Sequence, residues 1–179
     1  MKKPKTKTTS RKTGRRALLE RFRKVKLLCL DVDGTLTDGG IYYMDDGQQV
    51  RKFNSKDGMG LKLVMKTGIE VCWLTASNTA SIVHRAKALG VPHILMAADD
   101  KLAGLKDLLA ELNITLAEVA HMGDDSNDLP VLEAVGLALA PADAVLEVQK
   151  AAAHITTKVG GDGAVREICD LLVESRRLP

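Results

Sequence analysis

Five short apolar runs, KLLCLDV, IEVCWLT, HILM, EVAHMGD and GLALA, alternate along the chain with longer stretches whose apolar residues fall at helical spacing, DGMGLKLVMK, TASIVHRAKAL, KLAGLKDLLAEL and LPVLEAV. Near-continuous apolar runs suit strands buried on both faces, and strands alternating with amphipathic helices form parallel sheets covered on both sides. The fold expected is therefore α/β, a Rossmann-like parallel sheet flanked by helices. Gly68 and Gly90 stand where helix C-caps belong, and Thr115 with Glu118 has the spacing of a capping box. One segment breaks the alternation: GIYYMDDGQQVRKF, residues 40–53, sets two β-prone stretches around Asp45-Asp46-Gly47, a hairpin inserted after the first strand. Between Asp38 and Thr75 there is room only for that hairpin and one helix, and between Ser77 and Lys101 only for a helix and a strand. No cap domain fits.

Charge is unevenly placed. Residues 1–26 hold 12 of the 26 Lys and Arg and a single acid, Glu20, whereas the remainder holds 14 basic and 22 acidic residues. The opening MKKPKTKTTSRKTGRR cannot bury enough apolar surface to offset its ordering entropy, so residues 1–24 are expected as a basic disordered tail and residues 25–179 as the folded domain. The tail is either a solvated extension or a contact for an anionic partner such as RNA or a membrane surface. Aromatic residues make up 3% of the chain, too few for stacking platforms along a nucleic-acid strand, and the acidic body further disfavours nucleic acid as partner. Neither the apolar stretch of a secretory signal nor a run near the roughly 18 residues of a membrane span is present. Cys29, Cys72 and Cys169, odd in number and set among apolar neighbours, read as reduced core residues of a cytoplasmic protein.

In an open α/β sheet, ligands bind beyond the carboxyl ends of the strands. Four polar clusters fall there: Asp31 and Asp33; Thr75-Ala76-Ser77; Lys101, opening the helix after HILMAADD; and Asp124, Asp125 and Asp128 in GDDSND. Five carboxylates at one sheet edge repel one another unless a cation is present, and a hard divalent ion, Mg²⁺, suits oxygen ligands. Residues i and i+2 of a strand point the same way, so Asp31 and Asp33 can face one substrate atom, one as nucleophile and the other as proton carrier. Lys101, the Thr75 hydroxyl and backbone N–H groups suit the oxygens of a phosphoryl group.

D-x-D-G-T at 31–35, a strand-end Thr at 75, a Lys at 101 and G-D-D-x-x-D at 123–128, in that order, resemble the four motifs of the haloacid dehalogenase-like superfamily. The resemblance implies a phosphatase. Asp31 would form an aspartyl-phosphate, Asp33 would act as general acid/base, and Thr75 and Lys101 would hold the phosphate. Mg²⁺ would sit on the Asp31 carboxylate, the Asp33 backbone carbonyl and Asp124, supported by Asp125 and Asp128. DVDGTLTDGGIYY, FNSKDGMGL, GDDSNDLPVLEAVGLALAPADA and GGDGAVREICDLL, spread over residues 25–175, further resemble the cap-less octulosonate-phosphate phosphatases of lipopolysaccharide synthesis. That likeness implies a sugar-acid phosphate as substrate and a homotetramer whose hairpins build a central barrel, a neighbouring subunit covering each site. Lys56 and Arg166 are then candidates for contact with the sugar acid.

Ala76-Ser77 stand where the octulosonate phosphatases usually carry Gly-Arg, which leaves a nonulosonate 9-phosphate phosphatase and a non-catalytic tetramerisation domain of the same fold as alternatives. A phosphatase for nucleic-acid ends is a further reading that the basic tail suggests. His84, His93 and His154 read as packing or surface, Trp73 as core, and His121 as a neighbour of the carboxylates able to tune them.

Overall fold

A computed structural model describes residues 8–178, with side chains from residue 14 onward. Six parallel strands form one sheet: β1 (Leu27–Leu30), β4 (Glu70–Leu74), β5 (His93–Leu95), β6 (Val119–Met122), β7 (Leu137–Ala140) and β8 (His154–Ile155), in the order β5-β4-β1-β6-β7-β8. The chain leaves β1 toward β4 and leaves β6 toward β7, so the connections part between β1 and β6. At such a switch point a crevice opens beyond the strand ends.

The alternation of side chains along β1 divides the core. Leu28 and Leu30 face a cluster with Leu61 and Val64 of α2 (Ser55–Met65), Ile82 and Ala86 of α3 (Ala80–Leu89), and Ile168 and Leu172 of α7 (Ala164–Ser175). Leu27 and Cys29 face the other way, onto Leu105 and Leu109 of α4 (Lys101–Leu112) and Val131 of α5 (Leu129–Ala134). A short α6 (Leu146–Ala151), unforeseen from the sequence, packs Val148 beside Ala138 and Ala140 at the β7 end. All three cysteines are buried and free. Gly90 ends α3 in the left-handed conformation, and Thr115 and Glu118 form the expected box.

The expected disordered tail needs correction. Residues 1–7 lie outside the described residues, but Thr8–Arg23 forms a helix, α1, packed along α7. Leu19 and Phe22 are buried in the main core with Val25, and Leu18 packs against it. Leu18, Leu19 and Phe22 repeat at helical spacing, a narrow apolar stripe that the surrounding cations hide in any average over the segment. The Arg176 guanidinium donates to the Arg23 and Val25 carbonyls, satisfying acceptors that the end of α1 leaves open.

The hairpin is present as β2 (Tyr42–Tyr43) and β3 (Gln49–Val50), antiparallel and turned at Gly47. Its base is fixed by the Thr37–Phe53 bridge and by Phe53 stacked on Trp73 at 5.8 Å. Its first arm projects Ile41, Tyr42, Tyr43 and Met44, each exposed.

A second tie holds α2 to α7. Gly163, which precedes α7, has no side chain to cap it, and the buried Asp57 carboxylate of α2 accepts from the Arg166 backbone N–H at 2.7 Å instead. Burial pushes this carboxyl up, with the Arg166 N–H acting against it. Loss of a buried cap costs about 2 kcal/mol. Asp57→Ala is accordingly expected to lower unfolding stability by about that amount, and Asp57→Asn, which keeps an acceptor oxygen, by less than half of it. Equal urea midpoints for Asp57→Ala and wild type would remove the cap from this account.

Candidate active site

The site is built at the parting of the connections. Asp31 follows β1, and its Oδ1 accepts from Lys101 Nζ at 2.7 Å; the same ammonium reaches Asp128 Oδ1 at 2.8 Å. All three residues are buried, Asp31 at 5%, Lys101 at 3% and Asp128 at 0% exposure. Asp128 Oδ1 also meets His121 Nε2 at 3.1 Å, and its Oδ2 accepts from the Asp124 N–H at 3.2 Å. Burial pushes Asp128 up, but the His121 hydrogen bond and the Lys101 charge outweigh it and hold this carboxyl below its ordinary range. Asp31 goes the other way, raised by burial and by the charge of Asp128 against the pull of Lys101. Lys101 is raised because its two carboxylates outweigh its own burial.

Two glycines make the turn possible. Gly34 has φ +94°, and a Cβ there would stand 2.0 Å from Asp124 Oδ2. Gly160, in the loop before α7, approaches so closely that a Cβ would lie 1.7 Å from the Gly34 carbonyl oxygen. The D-x-D-G-T turn is thus wedged between the Asp124 carboxylate and the C-terminal loop.

Asp31, Asp124 and Asp128 bring carboxylate oxygens within 4.8 Å of one another, a donor set suited to a hard divalent cation. Asp128 already has both oxygens engaged, whereas Asp31 Oδ2 and Asp124 Oδ2 accept no hydrogen bond recorded among the described residues. The free oxygens therefore belong to Asp31 and Asp124, with Asp128 as the group that orients the Lys101 ammonium and the Asp124 backbone. Asp125 is exposed and accepts from the Ser126 N–H at 2.6 Å, away from the cluster.

Burial and the Asp128 charge push the Asp124 carboxyl up to about 6, opposed by its hydrogen bond from Thr35. Between pH 3.8 and 6 the cation-free folded state keeps a proton that the unfolded chain has released, so this group's contribution to stability falls as pH rises through that window. A cation bound to the ionised carboxylate reverses the sign above it. Mg²⁺ is expected to raise Tm at pH 7.5 and to lose that effect below pH 6; an undiminished shift at pH 5 would strike Asp124 from the ligand set.

Asp33 lies half-buried beside the cluster, and its partners were not all foreseen. Arg51, just after β3, gives Nε to Asp33 Oδ1 at 2.5 Å and Nη2 to Oδ2 at 3.2 Å. The same guanidinium donates to Ser77 Oγ at 3.1 Å and Thr79 Oγ1 at 2.7 Å, and Ser77 Oγ donates to Asp33 Oδ2 at 2.7 Å. Where the resemblance implies an Arg after Thr75-Ala76, a cation thus arrives from the hairpin instead. Nothing local marks Arg51 in QQVRKF, since its partners lie 18 to 28 residues away. Thr75 is buried and its Oγ1 accepts from the Ser77 N–H at 3.1 Å; Ala76 is exposed.

Lys56 and Arg166 are not in this cluster. Together they line a cleft of about 370 Å³ at the start of α7, with Lys158 and Asp162, and Arg166 Nε pairs with Asp170 at 2.8 Å. Lys56 also borders a cleft of about 530 Å³ that reaches Asp38 and Gly160.

The chain as a whole is similar to known proteins. The 3-deoxy-D-manno-octulosonate 8-phosphate phosphatase of Escherichia coli is 40% identical over 156 residues, 87% of this chain and 83% of that protein. A haloacid dehalogenase-like hydrolase family model matches residues 92–168. The chain belongs to the haloacid dehalogenase-like hydrolases. Within that family it is a phosphoric monoester hydrolase. Among solved members, the octulosonate 8-phosphate phosphatase of Moraxella catarrhalis, a complex with magnesium, phosphate and the sugar acid, superposes with a TM-score of 0.86 at 36% identity, covering 89% of this chain and 91% of that one. A probable YrbI-family phosphatase of Pseudomonas syringae superposes with a TM-score of 0.88 at 41% identity, covering 90% of this chain and 92% of that one.

Proposed function

We propose that this phosphatase hydrolyses a sugar-acid phosphate, 3-deoxy-D-manno-octulosonate 8-phosphate, through an aspartyl-phosphate on Asp31. The observation that carries the reading is the buried Asp31–Lys101–Asp128 arrangement with Asp33 two residues from the nucleophile and separately held. An Asp31 oxygen attacks phosphorus in line, the bond from phosphorus to the sugar oxygen breaks, and the departing oxygen keeps the electron pair and takes a proton from Asp33. Water then attacks phosphorus, returns a proton to Asp33, and frees phosphate and the Asp31 carboxylate. Lys101 and the Thr75 hydroxyl stabilise the charge on the transferring oxygens. Asp31, Asp124 and the Asp33 backbone carbonyl would hold Mg²⁺, which when bound would supply the positive charge that lets a carboxylate approach an anionic phosphate.

The four exposed apolar side chains along the first arm of the hairpin, Ile41 to Met44, support a homotetramer in which hairpins cover one another and a neighbouring subunit lies over each site. Sedimentation should read a four-chain particle. Lys56 and Arg166, on clefts bordering the Gly160 loop, are placed to meet the sugar acid or that neighbour. A helix long and apolar enough to cross a membrane is absent among the described residues, and the cytoplasm is the compartment in which the proposed substrate would be met.

Phosphate release from a panel of octulosonate 8-phosphate, nonulosonate 9-phosphates, hexose phosphates and a 3′-phosphorylated oligonucleotide tests the substrate. A preference of about a hundredfold in kcat/KM for the octulosonate, ~2.7 kcal/mol, is expected. A nonulosonate preference would transfer the proposal to that sugar and make Ala76-Ser77 its mark.

A further inference from the structure

The Arg51 side chain is as enclosed as that of Lys101, 1% exposed against 2%, and its guanidinium spends Nε, Nη1 and Nη2 on Asp33, Thr79 and Ser77. Ser77 closes the ring by donating to the Asp33 oxygen that Nη2 also reaches. Both Asp33 oxygens are therefore held in one plane by a rigid fork, the arrangement in which a guanidinium fixes a carboxylate's orientation as well as its charge. A side chain so enclosed has little left to offer a substrate. Its position in the chain matters equally. Arg51 leaves β3 directly, two residues before Phe53, whose bridge to Thr37 and stack on Trp73 anchor the hairpin to the sheet.

We infer that Arg51 is a positioning residue for Asp33, the arm by which the hairpin sets the angle at which this carboxylate meets the leaving oxygen. The inference rests on the proposed role of Asp33. Through this arm the hairpin bears on the chemistry as well as on assembly: a hairpin free to tilt at its base carries the fork with it and misdirects Asp33. An error of about 1 Å in such a group costs on the order of a hundredfold.

Two substrates separate this role from a structural one. A sugar phosphate leaves as an alkoxide that needs a proton as its bond breaks, whereas a nitrophenyl phosphate leaves as a stable phenolate that needs none. kcat/KM reports the steps up to and including loss of that group. Arg51→Met is expected to lower kcat/KM for octulosonate 8-phosphate about a hundredfold, mainly in kcat, while kcat/KM for the nitrophenyl ester stays within about threefold of wild type. Arg51→Lys, a single ammonium in place of a fork, should recover no more than about a tenth of the loss. Thr79→Val, which removes one partner of the fork and leaves the salt bridge, should show the same selective fall to a smaller extent, and it keeps the question answerable if Arg51→Met folds poorly. Equal losses on the two esters, no loss on either, or full recovery in Arg51→Lys would each overturn the assignment while leaving the phosphatase reading in place. A wild type inactive on both esters would overturn the two together.

Discussion

Asp31→Asn should lower kcat on the sugar phosphate about 10³-fold or more, roughly 4 kcal/mol of transition-state stabilisation, without changing the particle seen by sedimentation. The amide keeps the shape of the carboxylate and can still accept from Lys101 through its oxygen, so the packing of a residue 5% exposed is preserved. What it lacks is the anionic oxygen that must bond to phosphorus. Stability should move the opposite way from activity. In the cation-free protein the Asp31 carboxyl is raised well above its ordinary range because burial and Asp128 disfavour its charge. At pH 7 the folded state bears that cost while the unfolded chain does not, so a neutral amide relieves it. The variant should therefore melt no lower than wild type in the presence of a chelator, and Mg²⁺ should stabilise it less. Retention of more than a hundredth of wild-type turnover would count against Asp31 as the nucleophile and favour a water-attack mechanism at the same carboxylates.

The parts of this site that were legible in the sequence are those whose signal is local. Asp31 and Asp33 end a strand, Thr75 ends another, Lys101 opens a helix, and Asp124 to Asp128 share one turn; each cluster is a few residues long, and parallel topology alone brings strand ends together. What escaped the sequence depends on partners far along the chain. Arg51 is one of 26 cations until the hairpin folds back over Asp33 and Ser77. Asp57 resembles the first-turn acid of its own helix, yet it caps a helix more than a hundred residues away. The roles within the GDDSND cluster were likewise unreadable from spacing: Asp125 turns outward to the Ser126 N–H, while Asp128 is drawn inward by His121 and Lys101. Charge patterning misled at α1, where a short apolar stripe of Leu18, Leu19 and Phe22 outweighs its cations once α7 offers a surface. Glu174 meets Arg15 there at 2.5 Å, an exposed pair that adds little beside the burial of Phe22.

Lys101→Met tests the electrostatic frame of the site. The ammonium is the partner shared by two buried carboxylates, and removing one member of a buried ionic group leaves the others uncompensated, at a cost of about 3–5 kcal/mol. Methionine fills the volume of the lysine stem, so the loss reads charge and not a cavity. Two dependences distinguish this from general damage. In wild type Lys101 is raised above 10.5, so its contribution is fully present below that pH and is lost only as pH rises through the higher folded value. In the variant Asp31 and Asp128 lose the cation that favoured their charged forms. Their folded-state carboxyls then take up protons at higher pH than those of the unfolded chain, and stability relative to wild type should recover as pH falls from 7 toward 5. Mg²⁺ should restore part of the stability at pH 7 by supplying positive charge at Asp31, but not the turnover. On the role proposed for Lys101 the phosphoryl oxygens would lose a donor, and kcat should stay down about 10²–10³-fold. A deficit in stability that is flat with pH and insensitive to Mg²⁺ would mean that Lys101 holds the site by packing alone, and the charge balance drawn between Lys101, Asp31 and Asp128 would have to be given up.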